Sequence, residues 1–288
     1  MKTRRKLMVL LVLSVAGVIS NKCTKSSDNN NPVVKVKLAT SPTLGQYLVD
    51  QDGYTLYFFA NDYNGKVSCT DGCAVVWPPF YAGDITMDNL GSGLNMADFD
   101  TVMVNGSPQT RYKGWPLYYY APSSGGYNTR ETAGQTGGEG VGNIWFVAKP
   151  DYSIMLVNTQ LIGSDGKDYT GIYTEGTGKT LYFSDAKGIT LYTFSKDSFN
   201  INKFTKSDFS NNSVWPIYES GLMKVPSSLN RSLFDSINVY GKMQLTYNGW
   251  PLYYFGADNG VRGSNKGISF PAPGVWPVAI KDMMSAPK

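Results

Sequence analysis

The chain has 288 residues, of which 14% are aromatic and 17% charged, with 31 glycines, 15 prolines and no histidine. The lack of histidine excludes the Ser-His and Cys-His nucleophile pairs on which many hydrolases depend. Five of the 26 Lys and Arg residues lie within residues 1–22, so the remainder has 21 basic and 22 acidic residues, a net charge of −1 that gives no reason to expect a nucleic-acid partner.

Residues 1–22 have the layout of a signal peptide. Lys2, Arg4, Arg5 and Lys6 precede an apolar run of 13 residues, Leu7–Ile19. This run is shorter than the roughly 18 residues that a stable membrane-spanning helix needs. We therefore predict that the chain is exported and that this segment is removed.

Cys23 stands where a lipoprotein signal peptidase would leave a new amino-terminal cysteine for lipid attachment. The following residues, up to position 32, are rich in Ser, Asn and Asp, a composition typical of a flexible tether. Lys22 and Ser20 depart from the residues usual before such a cysteine, so a plain secretory signal with an incidental cysteine is the alternative. We predict a lipid anchor at Cys23, a tether over 23–32, and a periplasmic or cell-surface location on the bacterial cell envelope.

The other two cysteines, Cys69 and Cys73, lie four residues apart. In an oxidising compartment this spacing favours a disulfide across a short loop. The alternative is a redox or soft-metal site, for which the chain supplies no histidine ligand. We predict a disulfide, with no metal ligand and no cofactor, and keep a redox or metal-handling accessory role of this pair as the alternative function.

An internal duplication with a spacing of 135 residues is the strongest signal in the sequence. Gly114-Trp115-Pro116-Leu117-Tyr118 recurs without a gap as Gly249-Trp250-Pro251-Leu252-Tyr253. In the same register, Tyr47, Asp50, Gly53, Leu56, Tyr57, Phe59 and Asp62 recur as Tyr182, Asp185, Gly188, Leu191, Tyr192, Phe194 and Asp197. We predict two homologous modules, residues 33–150 and 151–288.

A weaker repeat divides each module into two units. Each unit begins with a Leu-Tyr pair, at Leu56, Leu117, Leu191 and Leu252. Each closes on a tryptophan, and these are Trp77, Trp145, Trp215 and Trp276. The four units are numbered in this order below.

Short runs of Tyr, Phe, Val and Thr between glycines and prolines favour strands. Residues 47–57 predict a hairpin, because Asp52-Gly53 supplies the positive φ of a tight turn, and residues 185–188 form its counterpart. Short helical turns are expected near 87–99 and 226–234. The predicted fold is all-β, with each module a small sandwich or barrel built from two hairpin-based units.

Three of the units contain the pattern Tyr-x-Phe-x-x-Asp. The matching residues are Tyr57, Phe59 and Asp62, then Tyr192, Phe194 and Asp197, then Tyr253, Phe255 and Asp258. On these residues the chain resembles the bacterial secreted-repeat lipoproteins that carry a Tyr-x-(Phe/Trp/Tyr)-x-x-Asp motif and whose role is unknown. The second unit departs from the motif, because Tyr118-x-Tyr120 is followed by Ser123.

Two kinds of side chain offer candidate chemistry. Asp50, Asp52 and Asp62, with their repeats Asp185 and Asp197, could ligate a cation, but they fit no recognised calcium loop and are better explained as turn caps. The motif rings are expected to pack in the core. The rings on the opposite strand face are the better binding candidates, and these are Phe58, Tyr119 and Tyr254.

The usual parts of a catalytic site are missing from the sequence. The glycine-rich residues 133–142 precede a strand rather than a helix, so they predict a mobile loop and not a phosphate-binding loop. A paired-carboxylate glycosidase is the remaining enzymatic alternative. We predict that the protein is not an enzyme and that it has a structural or binding role, with the membrane and an envelope protein or a glycan as partners.

Overall fold

The structure, a computed structural model, describes residues 33–221 and 224–288, which contain short strands and short helices joined by turns and loops. The predicted signal peptide, Cys23 and the tether lie outside these residues. The strands are β1 (Val36–Ser41), β2 (Gly45–Asp50), β3 (Tyr57–Phe59), β4 (Phe99–Val104), β5 (Ser107–Tyr112), β6 (Trp115–Pro116), β7 (Ser123–Ser124), β8 (Tyr127–Asn128), β9 (Trp145–Val147), β10 (Met155–Ile162), β11 (Asp168–Tyr169), β12 (Lys179–Ser184), β13 (Phe234–Val239), β14 (Lys242–Tyr247) and β15 (Trp250–Pro251). The all-β prediction is confirmed.

The helical elements are all short. Three 3-10 helices, Met87–Asn89, Met96–Asp98 and Arg231–Leu233, lie in the segments where helical turns were expected. The five-residue helix α1 (Gly72–Val76) was not predicted, because it is too short to show a helical period. The other 3-10 helices are Ala60–Asp62, Val141–Asn143, Gly256–Asp258 and Lys266–Ser269. In the residues that the structure describes, no helix has the length and apolarity needed to cross a membrane.

Four antiparallel hairpins precede the Leu-Tyr pairs of the four units, namely β1–β2, β4–β5, β10–β12 and β13–β14, and each is counted below with the unit that follows it. The duplication is visible in their register, because Phe99 faces Tyr112 in the second unit and Phe234 faces Tyr247 in the fourth. The third unit is the longest, since residues 163–178, which include β11, connect its two strands. In the first unit Pro42–Leu44 make the same connection.

The predicted turn after β2 is present. The Asp50 backbone N–H donates to Tyr54 O at 3.0 Å, and Gly53 has a φ of +91°. In the second module the Asp185 N–H donates to Ile189 O at 2.9 Å, and Gly188 has a φ of +82°. A positive φ is strained for residues with a Cβ atom, which explains the glycine in both turns.

The two units of each module are interlocked rather than stacked one after the other. Strand β3 of the first unit pairs with β9 of the second. The Tyr57 and Tyr118 backbones exchange two hydrogen bonds of 2.9 and 3.1 Å. Tyr192 and Tyr253 do the same in the second module, at 2.8 and 2.9 Å. Each module is therefore built around an approximate two-fold relation between its units.

Residues 33–288 belong to one compact body. The core is continuous across the module boundary predicted at residues 150 and 151, because Ala60 and Phe146 of the first module belong to the same buried cluster as Leu156 and Phe183 of the second. The boundary stays a prediction from the sequence.

Candidate functional site

The motif tyrosines are buried, and each donates its hydroxyl to a carboxylate of the other unit in the same module. Tyr118 donates to Asp62, and Tyr253 donates to Asp197 at 2.8 Å. Tyr192 donates to Asp258. The motif therefore does not form a local site in one unit, because its Tyr and its Asp both bind residues of the other unit.

Glu131 replaces the motif aspartate that the second unit lacks. Its Oε1 accepts the hydroxyl of Tyr57, and its Oε2 accepts the Gly137 N–H at 2.8 Å. All four motif tyrosines thus have a carboxylate partner. Glu131 lies far beyond the motif spacing, so no pattern in the sequence identified it.

The motif aspartates also cap the loops that follow them. Asp62 accepts from the Ser68 N–H and hydroxyl at 2.8 and 2.6 Å. Asp197 accepts from the Lys203 N–H at 2.7 Å. Asp258 accepts from the Lys266 N–H at 3.0 Å. The interpretation of these aspartates as turn caps is confirmed, and in the described residues no group of three or more His, Cys, Asp or Glu could hold a metal ion.

Burial determines the electrostatics of these pairs. It raises the pKa of Asp62 and of Asp197 to about 6, although the hydrogen bonds to each carboxylate oppose the shift. The pKa of Asp258 is raised for the same reason. Burial also raises the pKa values of Tyr118 and Tyr253 above the usual range of a phenol, so both hydroxyls stay protonated and remain donors.

Four rings lie one on another at the centre of the first module, three of them parallel and the fourth tilted, and we call this set the first ring stack. Trp77 and Trp145 are parallel, with centroids 3.8 Å apart and an interplanar angle of 1°. Phe59 stacks on Trp145 at 3.9 Å, and Tyr120 covers Trp77 at 4.5 Å. Each outer ring comes from the opposite unit to the tryptophan that it covers, so the stack joins the two units.

The second module repeats the arrangement as the second ring stack. Trp215 and Trp276 have centroids 3.7 Å apart and an interplanar angle of 8°. Phe194 covers Trp276 at 4.3 Å, and Phe255 covers Trp215 at 4.4 Å. The third residue of the motif is therefore a packing residue, as predicted for the motif rings.

The predicted disulfide is present, and it links Cys69 to Cys73 with a Cα–Cα distance of 5.2 Å. Cys73 lies in α1, and its carbonyl accepts the N–H of Trp77 at 2.8 Å. The third unit lacks cysteines at the corresponding place, and there Asn211 O accepts the N–H of Trp215 at 3.4 Å. Both arrangements fix the turn that delivers a tryptophan to its ring stack.

The prediction that Phe58, Tyr119 and Tyr254 are available for binding is wrong. Phe58 and Tyr119 are only 3% and 8% exposed, and the Phe58 ring packs against Trp115. The Tyr119 hydroxyl donates to Asp50 at 2.7 Å, and that of the half-buried Tyr254 donates to Asp185 at 2.9 Å. Period-two alternation placed these rings on the opposite strand face, but this face is also covered.

A protein family described as a secreted repeat of unknown function matches residues 39–81 and 237–279. The matches lie in the first and fourth units, and over them the resemblance to a secreted-repeat family is confirmed. The description of the family as secreted supports export of this chain. Comparisons with curated proteins and with solved structures found no match.

Proposed function

We propose that this chain is a lipid-anchored protein of the bacterial cell envelope with a structural or binding role, and that it is not an enzyme. The proposal rests on the orientation of the repeated motif, whose side chains face the interior of each module. The tyrosine hydroxyls of the motif donate to carboxylates, and its rings pack on tryptophans. The duplicated residues therefore stabilise the fold. The function then depends on the residues exposed at the surface and on the lipid anchor that holds the chain at the membrane.

Cys23 is the proposed attachment point, supported by the charged, apolar and polar segments that precede and follow it. The test is metabolic labelling with an alkyne-bearing fatty acid, followed by purification of the full-length protein. We expect label on the wild type and on a Ser26→Ala control but not on Cys23→Ser. Equal labelling of Cys23→Ser, or no label on the wild type, would refute the anchor.

Exposed rings support the binding role better than the rings singled out from the sequence. Tyr127 and Tyr240 are 78% and 59% exposed, and a phenol combines an apolar face with a polar end that suits a glycan or a protein partner. Co-sedimentation with purified peptidoglycan tests the glycan partner. We expect Tyr127→Ala and Tyr240→Ala to reduce pelleting, and Ile172→Ala, an equally exposed aliphatic control, to leave it unchanged. If the wild type does not pellet, the proposed partner is a protein.

The alternative role as a redox or metal-handling protein would use the Cys69–Cys73 bond. Cys69 is only 3% exposed, and the bond belongs to the turn that positions Trp77. Redox-active cysteines are normally accessible to their partners. These observations support a structural disulfide.

A further inference from the structure

Arg262 reaches from the second module into the first. It follows the 3-10 helix that contains Asp258, and its Nε donates to Tyr63 O at 3.0 Å. Its Nη1 donates to Lys113 O at 2.9 Å and also to Lys187 O. The guanidinium lies 4.7 Å from the centroid of the Trp115 ring. One side chain thus joins turns from both modules.

Two glycines make room for this guanidinium. Gly114 and Gly188 both have a positive φ, +77° and +82°. A Cβ atom on Gly114 would lie 2.8 Å from Nη1 of Arg262, and one on Gly188 would lie 3.2 Å from its Cζ. The guanidinium of Arg262 is therefore closely packed against the backbone at both glycines, where a larger residue would displace it.

Arg262 makes no direct ion pair in the part of the protein that the structure describes, although the carboxylates of Asp185 and Asp100 are near enough to raise its pKa. Its hydrogen-bond acceptors are neutral carbonyl oxygens, and none of the ion pairs among the described residues includes it. Its Nη2 atom is buried without a hydrogen-bond partner. Burial lowers the pKa of Arg262 to about 10, so the group is still a cation at neutral pH. A half-buried cation that lacks a direct ion pair is costly, and an anion placed nearby would lower that cost.

A cleft of about 500 Å³ lies beside Arg262. Its walls include the apolar side chains of Phe99 and Ile189 and the charged side chains of Lys187 and Asp98. Asp100 also lines the cleft, and Arg111 pairs with it through two hydrogen bonds of 2.6 and 2.7 Å. The volume lies within the range of small-molecule sites, roughly 300–1,000 Å³.

The charges at the cleft favour an anion. Lys113, Lys187 and Arg262 are positive, whereas Asp98 is the one acidic lining residue without an ion-pair partner in the described chain. Lys113 Nζ is already bound to Pro150 O, whereas Lys187 makes no ion pair within the described residues and can turn toward a ligand. The apolar wall suits a ligand body that is not itself charged.

We propose that this cleft binds a small organic anion, a carboxylate on an apolar body. The carboxylate lies toward Lys187 and Arg262, and the body packs on Phe99 and Ile189. The site uses neither Cys23 nor the exposed tyrosines, so its test is independent of the tests of the function proposed above.

Isothermal titration calorimetry of the full-length, detergent-extracted protein with benzoate tests the proposal. Benzamide is the matched ligand, because it has the same shape without the charge. We expect benzoate to bind with a Kd of about 1 mM or tighter, and benzamide to bind at least about tenfold more weakly. Equal affinity for both ligands, or no benzoate binding up to about 10 mM, overturns the proposal.

Two rim variants locate the binding without disturbing Arg262, whose removal could unfold the junction. Lys187→Glu should weaken benzoate binding by about tenfold or more, and Asp98→Asn should strengthen it. Lys196→Glu makes the same charge change at an exposed lysine that does not line the cleft, and it should leave the affinity unchanged. If Lys196→Glu weakens binding as much as Lys187→Glu does, the effect is one of net charge and the cleft is not the site.

Discussion

At the scale of single residues, the carboxylates of the motif have two duties, because each caps its own loop and accepts a tyrosine of the other unit. The capping duty could be predicted from the sequence, since aspartate after a strand commonly accepts backbone N–H groups. The second duty could not, because the tyrosine that binds Asp62 is 56 residues away. The same limit applies to Glu131, which is 74 residues from Tyr57.

Removal of one tyrosine hydroxyl should destabilise the fold measurably. In Tyr118→Phe, the Asp62 carboxylate keeps its two bonds from Ser68 but loses its partner across the module. We expect the free energy of unfolding in urea to fall by about 1–3 kcal/mol. Tyr127→Phe removes an exposed hydroxyl and should change the free energy by less than about 0.5 kcal/mol. Equal effects of the two variants would show that the pair contributes nothing specific.

The buried carboxylates predict an unusual dependence of stability on pH. The pKa of Asp62 is about 6 in the folded protein, above its ordinary value of 3.8, so the folded state binds more protons between these values. When the folded state binds more protons, stability rises as the pH falls. We therefore expect the contribution of Asp62 to the free energy of unfolding to increase as the pH is lowered from about 7 to about 4.

The variant Asp62→Asn isolates this contribution, because it removes the titrating group and leaves the other carboxylates. The difference in the free energy of unfolding between wild type and variant should change in favour of the wild type as the pH falls. Urea unfolding at several pH values measures it. A difference that moves the other way would mean that hydrogen bonds, rather than burial, determine the pKa of Asp62.

At the scale of elements, the hairpins and their turns follow from local rules. The turn at Gly53 could be predicted because the need for a positive φ is local. The pairing of β3 with β9 could not, because a three-residue strand carries too little pattern to specify a distant partner. The ring stacks depend on that pairing, so they were missed although the four tryptophans themselves were recognised.

A small residue is required where the chain passes the second ring stack. A Cβ atom on Gly267 would lie 2.7 Å from Cη2 of Trp215 and 2.8 Å from Cε1 of Tyr192. Gly267→Ala should therefore force rings apart and lower the free energy of unfolding by about 1–3 kcal/mol. Gly72→Ala is the control, because no atom lies within 4 Å of its Cβ position, and it should be neutral or stabilising. Urea denaturation of both variants compares them, and an unaffected Gly267→Ala would show that the stack is loosely packed.

At the scale of the whole molecule, the duplication was evident from the sequence but its consequence for packing was not. Sequence identity between modules does not reveal which surfaces are shared, and here one buried cluster contains residues from both. Trp115 Nε1 also donates to Ala186 O at 3.0 Å, and Arg262 Nε donates to Tyr63 O at 3.0 Å, so polar contacts between the modules reinforce the shared core. The two modules are expected to depend on each other for stability.

Thermal unfolding tests this dependence. Because the modules share a core, we expect differential scanning calorimetry to show one transition in which the calorimetric and van't Hoff enthalpies agree. Tryptophan fluorescence should report the same midpoint, since both ring stacks would be lost together. Two separate transitions would indicate that the modules are independent folding units.

The intact mass of the protein extracted from native membranes, before and after reduction and alkylation, tests the central claim most directly. The account predicts a chain that begins at Cys23 with attached acyl groups, and two alkylated cysteines, Cys69 and Cys73, that appear only after strong reduction. A chain with an unmodified Cys23 would contradict the lipid anchor. Alkylation of Cys69 and Cys73 without strong reduction would contradict the structural disulfide and favour the redox role.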